Sequence, residues 1–135
     1  MAGYSGKPLA EKIGINSGDT VLVVQSPQAY KSFFGLLPDH VRVVKQSSAE
    51  SVRIAHLFVL RKTELKKQLT TLKKQITKNG MIWVSWPKKS SGVATDVDEN
   101  TVREMALATG LVDVKVCAVD DTWSGLKLVY RLKDR

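Results

Sequence analysis

The sequence predicts an α/β three-layer sandwich, with a mostly parallel sheet of about six strands closed by an antiparallel hairpin at the carboxyl end. Three observations carry this. The run Thr20 to Gln25, TVLVVQ, is continuously apolar and β-branched, as in a parallel strand buried on both faces. Runs of this kind alternate with helical stretches through the first three quarters of the chain. The last two apolar runs, Asp113 to Val119 and Leu126 to Leu132, are joined by Asp120-Asp121-Thr122-Trp123-Ser124-Gly125, which is too short for a parallel crossover and marks a hairpin. With 135 residues and 43% apolar content, residues 1–135 are expected to form one α/β domain with a packed core.

In order, Pro8 to Gly14 reads as a short opening helix or turn, with proline at its first position and glycine ending it. Gly18-Asp19 turns into the first strand, and Ser26-Pro27 punctuates its end before a helix from Gln28 to about Leu36. The second strand is Val41 to Lys45, and the third is Ile54 to Leu60, IAHLFVL. A basic helix follows from Arg61 to Lys78. Its Leu65, Leu69, Leu72 and Ile76 recur at four, three and four residues, and Asn79-Gly80 is expected to end it with a left-handed cap. Met81 to Trp86 is the fourth strand. Asp96, with Glu99 three residues on, resembles a capping box that opens a helix through Val102, Met105, Ala106 and Ala108, ending at Gly110.

The net charge is +8, and most of the excess lies on the basic helix, where Arg61, Lys62, Lys66, Lys67, Lys73, Lys74 and Lys78 face Glu64 alone. Lysines outside a leucine stripe serve first as a solvated face. The sharper reading makes Lys66, Lys67, Lys73 and Lys74 a surface for a polyanion or a protein partner. No aromatic residue is interleaved with them, so nucleic acid is the weaker choice of partner. The apolar windows fall short of the roughly 20 residues needed to cross a bilayer, and the polar start lacks the apolar region of a secretory signal. A cytoplasmic, soluble protein without membrane contact is expected. The lone Cys117 lies on an apolar strand, where a free thiol behaves as a small hydrophobe.

The most chemically suggestive stretch is Met81 to Asp96, where an apolar strand stops at Trp86-Pro87 and opens into a basic, hydroxyl-rich loop. Loops leaving the carboxyl ends of parallel strands form the crevice where ligands bind, so Lys88, Lys89, Ser90, Ser91 and Thr95 are candidate ligand contacts. The lysines would neutralise a phosphate or carboxylate, and the hydroxyls would donate to it. Trp83 and Trp86 differ by three positions and face opposite sides of one strand. Trp83 is most simply core, while Trp86, at the strand end, would line a pocket. Tyr4, in Tyr4-Ser5-Gly6, would join that site by docking over the strand ends, or would reach a neighbouring subunit in a homo-oligomer.

A strand and helix series closed by a carboxyl-terminal hairpin resembles a shortened class I methyltransferase fold, which is Rossmann-like. The resemblance implies strand order 2-1-3-4-6-5, with the last strand antiparallel. It also implies a glycine-rich turn after the first strand for adenosylmethionine, yet Gln25-Ser26-Pro27-Gln28-Ala29-Tyr30 contains no glycine. The acidic residue that would grip the ribose after the second strand is replaced by Lys45 or Gln46, and Leu60-Arg61-Lys62 stands where amino-methylating members carry their Asn/Asp-Pro-Pro-aromatic signature. No cofactor is therefore expected. Tyr4-Ser5-Gly6-Lys7-Pro8-Leu9, Trp86-Pro87-Lys88-Lys89, Lys115-Val116-Cys117-Ala118-Val119-Asp120 and Trp123-Ser124-Gly125 together resemble DUF3052, a family of small bacterial proteins defined by a domain of unknown function. That likeness implies a one-domain bacterial protein and carries over no catalytic residue.

Metal chemistry has little support: His40 and His56 have no partner at ligand spacing, and Asp120-Asp121 suits a solvated turn. No phosphate loop of the Walker type is present, and no Ser/His/Asp set can be assembled from the linear order. Two readings remain. The first is a noncatalytic binding or regulatory module for an anionic ligand or partner. The second is a diverged, methyltransferase-like transferase, with Lys88 as electrostatic stabiliser and Asp96 or Asp120 as base.

Overall fold

The computed structural model describes residues 7–135. Its elements run α1 (Leu9–Ile13), β1 (Thr20–Val24), a 3-10 turn (Tyr30–Phe33), β2 (Arg42–Val44), β3 (Val52–Phe58), α2 (Lys62–Gln75), β4 (Ile76–Pro87), α3 (Glu99–Thr109), β5 (Leu111–Ala118) and β6 (Trp123–Tyr130). The six strands form one sheet in the order β2-β1-β3-β4-β6-β5. β2, β1, β3 and β4 are mutually parallel, while β6 runs antiparallel to both β4 and β5. Architecture and strand order agree with the sequence expectation.

Period-two alternation divides the core between the two faces of the sheet. On one face Leu22, Leu57, Ile82, Val84, Trp86 and Leu128 pack against Leu65, Leu69 and Leu72 of α2 and Val102 and Ala106 of α3. On the other, Val21, Val23, Ile54, Phe58 and Trp83 pack against Ala10 and Ile13 of α1 and against Tyr30. Trp83 and Trp86 thus face opposite sides, as their spacing requires, and Trp83 Nε1 donates to Ile13 O at 2.8 Å, tying α1 to the centre of the sheet.

Several local expectations give way to packing. The helix expected from Gln28 to Leu36 is only the 3-10 turn Tyr30–Phe33. Eclipsed i and i+3 side chains in such a turn put Tyr30 and Phe33 together over Phe58, where Phe33 stacks at 5.3 Å and Tyr30 meets it edge-on at 6.3 Å. The basic helix stops at Gln75, because Ile76 is already extended and pairs with Val52 as the first residue of β4. Asn79-Gly80 therefore lies inside β4 and does not cap α2. A Cβ on Gly80 would meet Arg53 O at 2.7 Å, so this glycine serves the close approach of β3 and β4 beside the register shift between Val52 and Ile54. Trp123-Ser124-Gly125 opens β6, which leaves only residues 119–122 as the hairpin connection.

His56, Tyr30 and Ser85 form a polar chain inside the second core. His56 and Ser85 are fully buried, with Tyr30 Oη 2.8 Å from His56 Nδ1 and Ser85 Oγ 2.8 Å from Nε2. A neutral imidazole donates from one ring nitrogen and accepts at the other, and the two hydroxyls, each able to do either, meet both. Burial pushes the tyrosine hydroxyl up and holds the imidazole down at about 3, against an ordinary 6.5. Each polar group is satisfied, which is the condition for keeping it in a core.

Two predictions follow from this packing. Gly80→Ala forces backbone apart at a crowded strand crossing and should lower stability by roughly 1–3 kcal/mol in urea unfolding; a loss below experimental error would show that β3 and β4 yield freely. The unfolded chain protonates His56 as pH falls below about 6.5, whereas the folded chain holds it neutral down to about 3. Its contribution is complete above the first value and is lost as pH falls toward the second, at about 1.4 kcal/mol per pH unit. Unfolding between pH 7 and about 5.5, above the carboxylate range, should show that slope developing in the wild type and none in His56→Leu.

Candidate functional site

The loop after β4 emerges at the carboxyl end of a parallel strand, as expected, and Lys88, Ser91 and Thr95 in it are hydrogen-bonded within the fold. Lys88 N–H donates to Thr122 O and Lys88 Nζ to Asp120 O, both at 2.8 Å, binding this lysine to the hairpin connection. Ser91 Oγ donates to Lys88 O at 2.6 Å, and Thr95 Oγ1 donates to Leu60 O at 2.7 Å. Lys89 and Ser90 remain exposed, with Lys89 close enough to the Asp98 carboxylate to help hold its pKa down. Trp86 is 6% exposed and belongs to the core beneath α2 and α3. Tyr4 lies outside the described residues.

Asp96 does not cap α3. The cap is Asp98, whose Oδ1 accepts from Thr101 N–H at 2.8 Å and from Thr101 Oγ1 at 2.9 Å. The backbone bond from Thr101 is the leading reason its carboxyl sits below the usual range, with Lys62 and Lys89 adding to it. Asp96 Oδ1 instead accepts from Lys62 N–H at 2.8 Å, satisfying one of the unpaired amides at the start of α2 across 34 residues of sequence. Asp96 N–H and Thr95 both bond Leu60 O, so the loop clasps the β3 to α2 junction. Asp120 likewise is a turn former: its Oδ1 accepts from Thr122 and Trp123 N–H at 2.9 and 2.7 Å. Among the described residues no three His, Cys, Asp or Glu come together to hold a metal.

At the carboxyl ends of β1 and β2 lies a cavity of about 520 Å³, lined by Val24, Gln25, Ser26, Tyr30, Val43 and Lys45 among others. This is where the methyltransferase resemblance would place adenosylmethionine, and the residues do not fit it. Gln25 takes the left-handed backbone conformation, φ 60°, where a glycine would let the chain approach the ligand. Its side-chain Nε2 donates to Phe58 O at 2.8 Å, spanning the ends of β1 and β3. Lys45 presents a cation where a ribose would need a carboxylate. The Ser85 and His56 pair is sealed in the core and presents no nucleophile to solvent. Cys117 is likewise buried, and burial pushes its thiol up against the opposing pull of Lys12 and Lys115.

A larger concavity lies elsewhere, a groove of about 900 Å³ between α2, α3 and the end of β6. Lys66, Lys73 and Lys74 line it together with Lys78 and Arg131, while Glu104 and Asp134 are its only acidic residues. Lys67, on the same helix, is exposed and does not line it. Lys73 Nζ donates to Thr109 O at 2.8 Å, at the carboxyl end of α3, and Lys78 Nζ stands 4.6 Å from the Tyr130 ring centroid. Tyr130 Oη donates to Lys73 O, fixing β6 to the last turn of α2. Arg131 is paired with Asp134 at 2.9 Å. Sequence reading found the α2 lysines from their charge run. Nothing in the linear order joins Arg131 or Met105 to them.

The clasp can be tested by itself. Asp96→Ala should cost about 1 kcal/mol in urea unfolding, and Asp98→Ala a similar amount, with amide exchange rising in the first turn of α2 for the former and of α3 for the latter. Faster exchange in α3 alone for Asp96→Ala would contradict the cap assignment.

Comparison with solved structures gives the same fold repeatedly. A chain in the complex of the Haloferax volcanii Trm112 methyltransferase activator with a methyltransferase aligns with TM-score 0.63 at 9% identity, covering 91% of this chain and 87% of that one. An Aquifex aeolicus SAM-dependent methyltransferase aligns with TM-score 0.60 at 15% identity, over 89% and 86%. An O-methyltransferase from neocarzinostatin biosynthesis, solved with S-adenosylmethionine and 2-hydroxy-5-methyl naphthoic acid, aligns with TM-score 0.66 at 12% identity, over 96% of this chain and 53% of that one. At such identities these likenesses establish a Rossmann-like, methyltransferase-like fold. No curated protein sequence matches the chain. No helix among the described residues is long and apolar enough to cross a membrane. Residues 43–132 match DUF3052, described as a protein of unknown function, and the chain belongs to that family.

Proposed function

We propose that this protein is a noncatalytic binding or regulatory module that has kept the methyltransferase fold and holds an anionic ligand or partner in the groove between α2 and α3. The observation that carries this reading is the concentration of Lys66, Lys73, Lys74, Lys78 and Arg131 around one concavity of about 900 Å³, against two acidic residues. Such a surface raises the local concentration of anions and is screened by salt. Lys89 and Ser90, exposed at the end of β4, are a lesser element of the same reading, since their neighbours' donors are already engaged. The transferase alternative has only the fold in its favour, and a fold hosts many functions. The Haloferax volcanii complex joins a methyltransferase activator to a methyltransferase, and a protein partner fits the present reading equally well.

Binding is measured by thermal shift and calorimetry with inorganic polyphosphate and with adenosylmethionine, at low and moderate salt. Polyphosphate should stabilise the protein, by about 2.7 kcal/mol at 100 times its dissociation constant, and the effect should fade with salt. Lys66→Glu with Lys74→Glu, both exposed, should weaken binding at least about tenfold without unfolding the protein. A salt-resistant shift with adenosylmethionine would replace this reading by the transferase.

A further inference from the structure

The geometry points to a protein partner as the occupant of the α2 and α3 groove, one that presents an acidic amphipathic helix. This inference rests on the anion-binding reading above and specifies its ligand. The cations are spread along the groove. Lys66 and Lys74 are eight residues apart on α2, or about 12 Å along its axis, and Lys78 joins them from the start of β4, over the Tyr130 ring. A single phosphate needs donors that converge within hydrogen-bond reach, whereas carboxylates spaced over two turns of a helix match this layout.

The remaining lining argues the same way. Between the cations, α3 offers Met105, Ala108 and the Thr109 side chain, so the concavity combines an apolar strip with a basic margin. Small ligands favour pockets that bury most of their surface, while an open groove flanked by two helices suits a segment that brings its own fold. Met105 and Ala108 offer nothing to a phosphate backbone, whereas an amphipathic helix brings an apolar face to meet them and places its acids along its flanks. The Tyr130 ring is 4% exposed and covered by Lys78, which removes the one aromatic surface on which a nucleobase would stack. The occupant is thus a helix with apolar residues at i, i+4 and i+7 laid on Met105 and Ala108, and with Asp or Glu facing Lys66, Lys74 and Lys78.

The test is selection of a displayed library of helices about 14 residues long against the whole protein at about 0.15 M salt, followed by affinity measurement on the enriched sequences. Enrichment of apolar residues at helical spacing, flanked by acids, is expected. Ala108→Glu and Lys74→Glu, each at an exposed position, should weaken the selected helices at least about tenfold. Acidic sequences enriched without apolar spacing, and insensitive to Ala108→Glu, would overturn the helix and leave the anion-binding reading standing. So would an empty selection from a protein that still binds polyphosphate. Failure of both probes would remove both readings.

Discussion

The constraint on which this structure depends is that a six-stranded sheet must be covered on both faces by a chain with little helix to spend. α2 and α3 cover one face with a leucine and valine stripe. On the other, α1 is only five residues long, and aromatic rings do the work of a helix layer: Tyr30, Phe33 and Phe34 close over Phe58 and His56. Large rings cover much area per residue, so a 3-10 turn suffices where a longer protein would place a helix. The cost of this economy is a buried imidazole, and Tyr30 and Ser85 offset it by satisfying both ring nitrogens.

That economy also shapes what the protein can bind. The residues after β1 fold down to supply the aromatic cover, and Gln25 reaches across to β3, at the place where the fold usually opens for a ligand. The loop after β4 is committed as well, with Lys88 anchored to the hairpin and Asp96 capping α2. Between the two long helices a concave surface keeps Lys66 and Lys74 exposed, beside Lys73 bonded to Thr109 O and Arg131 paired with Asp134. The fold is Rossmann-like and similar to that of methyltransferases.

Much of the fold was legible because it depends on local periodicity. The β-branched run at β1, the leucine stripe of α2 and the opposite-facing Trp83 and Trp86 each follow from which side of an element meets the core. Boundaries were harder wherever one residue satisfies two patterns. Ile76 continues the helical stripe of α2 and equally begins β4, and only its pairing with Val52 decides between them. The linear reading gives the α3 cap to Asp96, whereas Asp98 holds it. Their roles separate once the loop has brought Asp96 against Lys62, 34 residues earlier.

The class of the fold, the α2 lysine face and the lack of a glycine turn after β1 are readable in the linear order, because composition and spacing carry those facts directly. Tertiary structure decided which of the charged groups are available. Lys88, Ser91 and Thr95 look like ligand contacts until backbone carbonyls from the hairpin connection, the loop itself and the end of β3 claim their protons. Conversely, Met105, Lys78 and Arg131 come to line one groove only when α3 and the end of β6 close against α2. A hydrogen bond or an ion pair is decided by a few ångströms in space, and separation along the chain does not encode that distance.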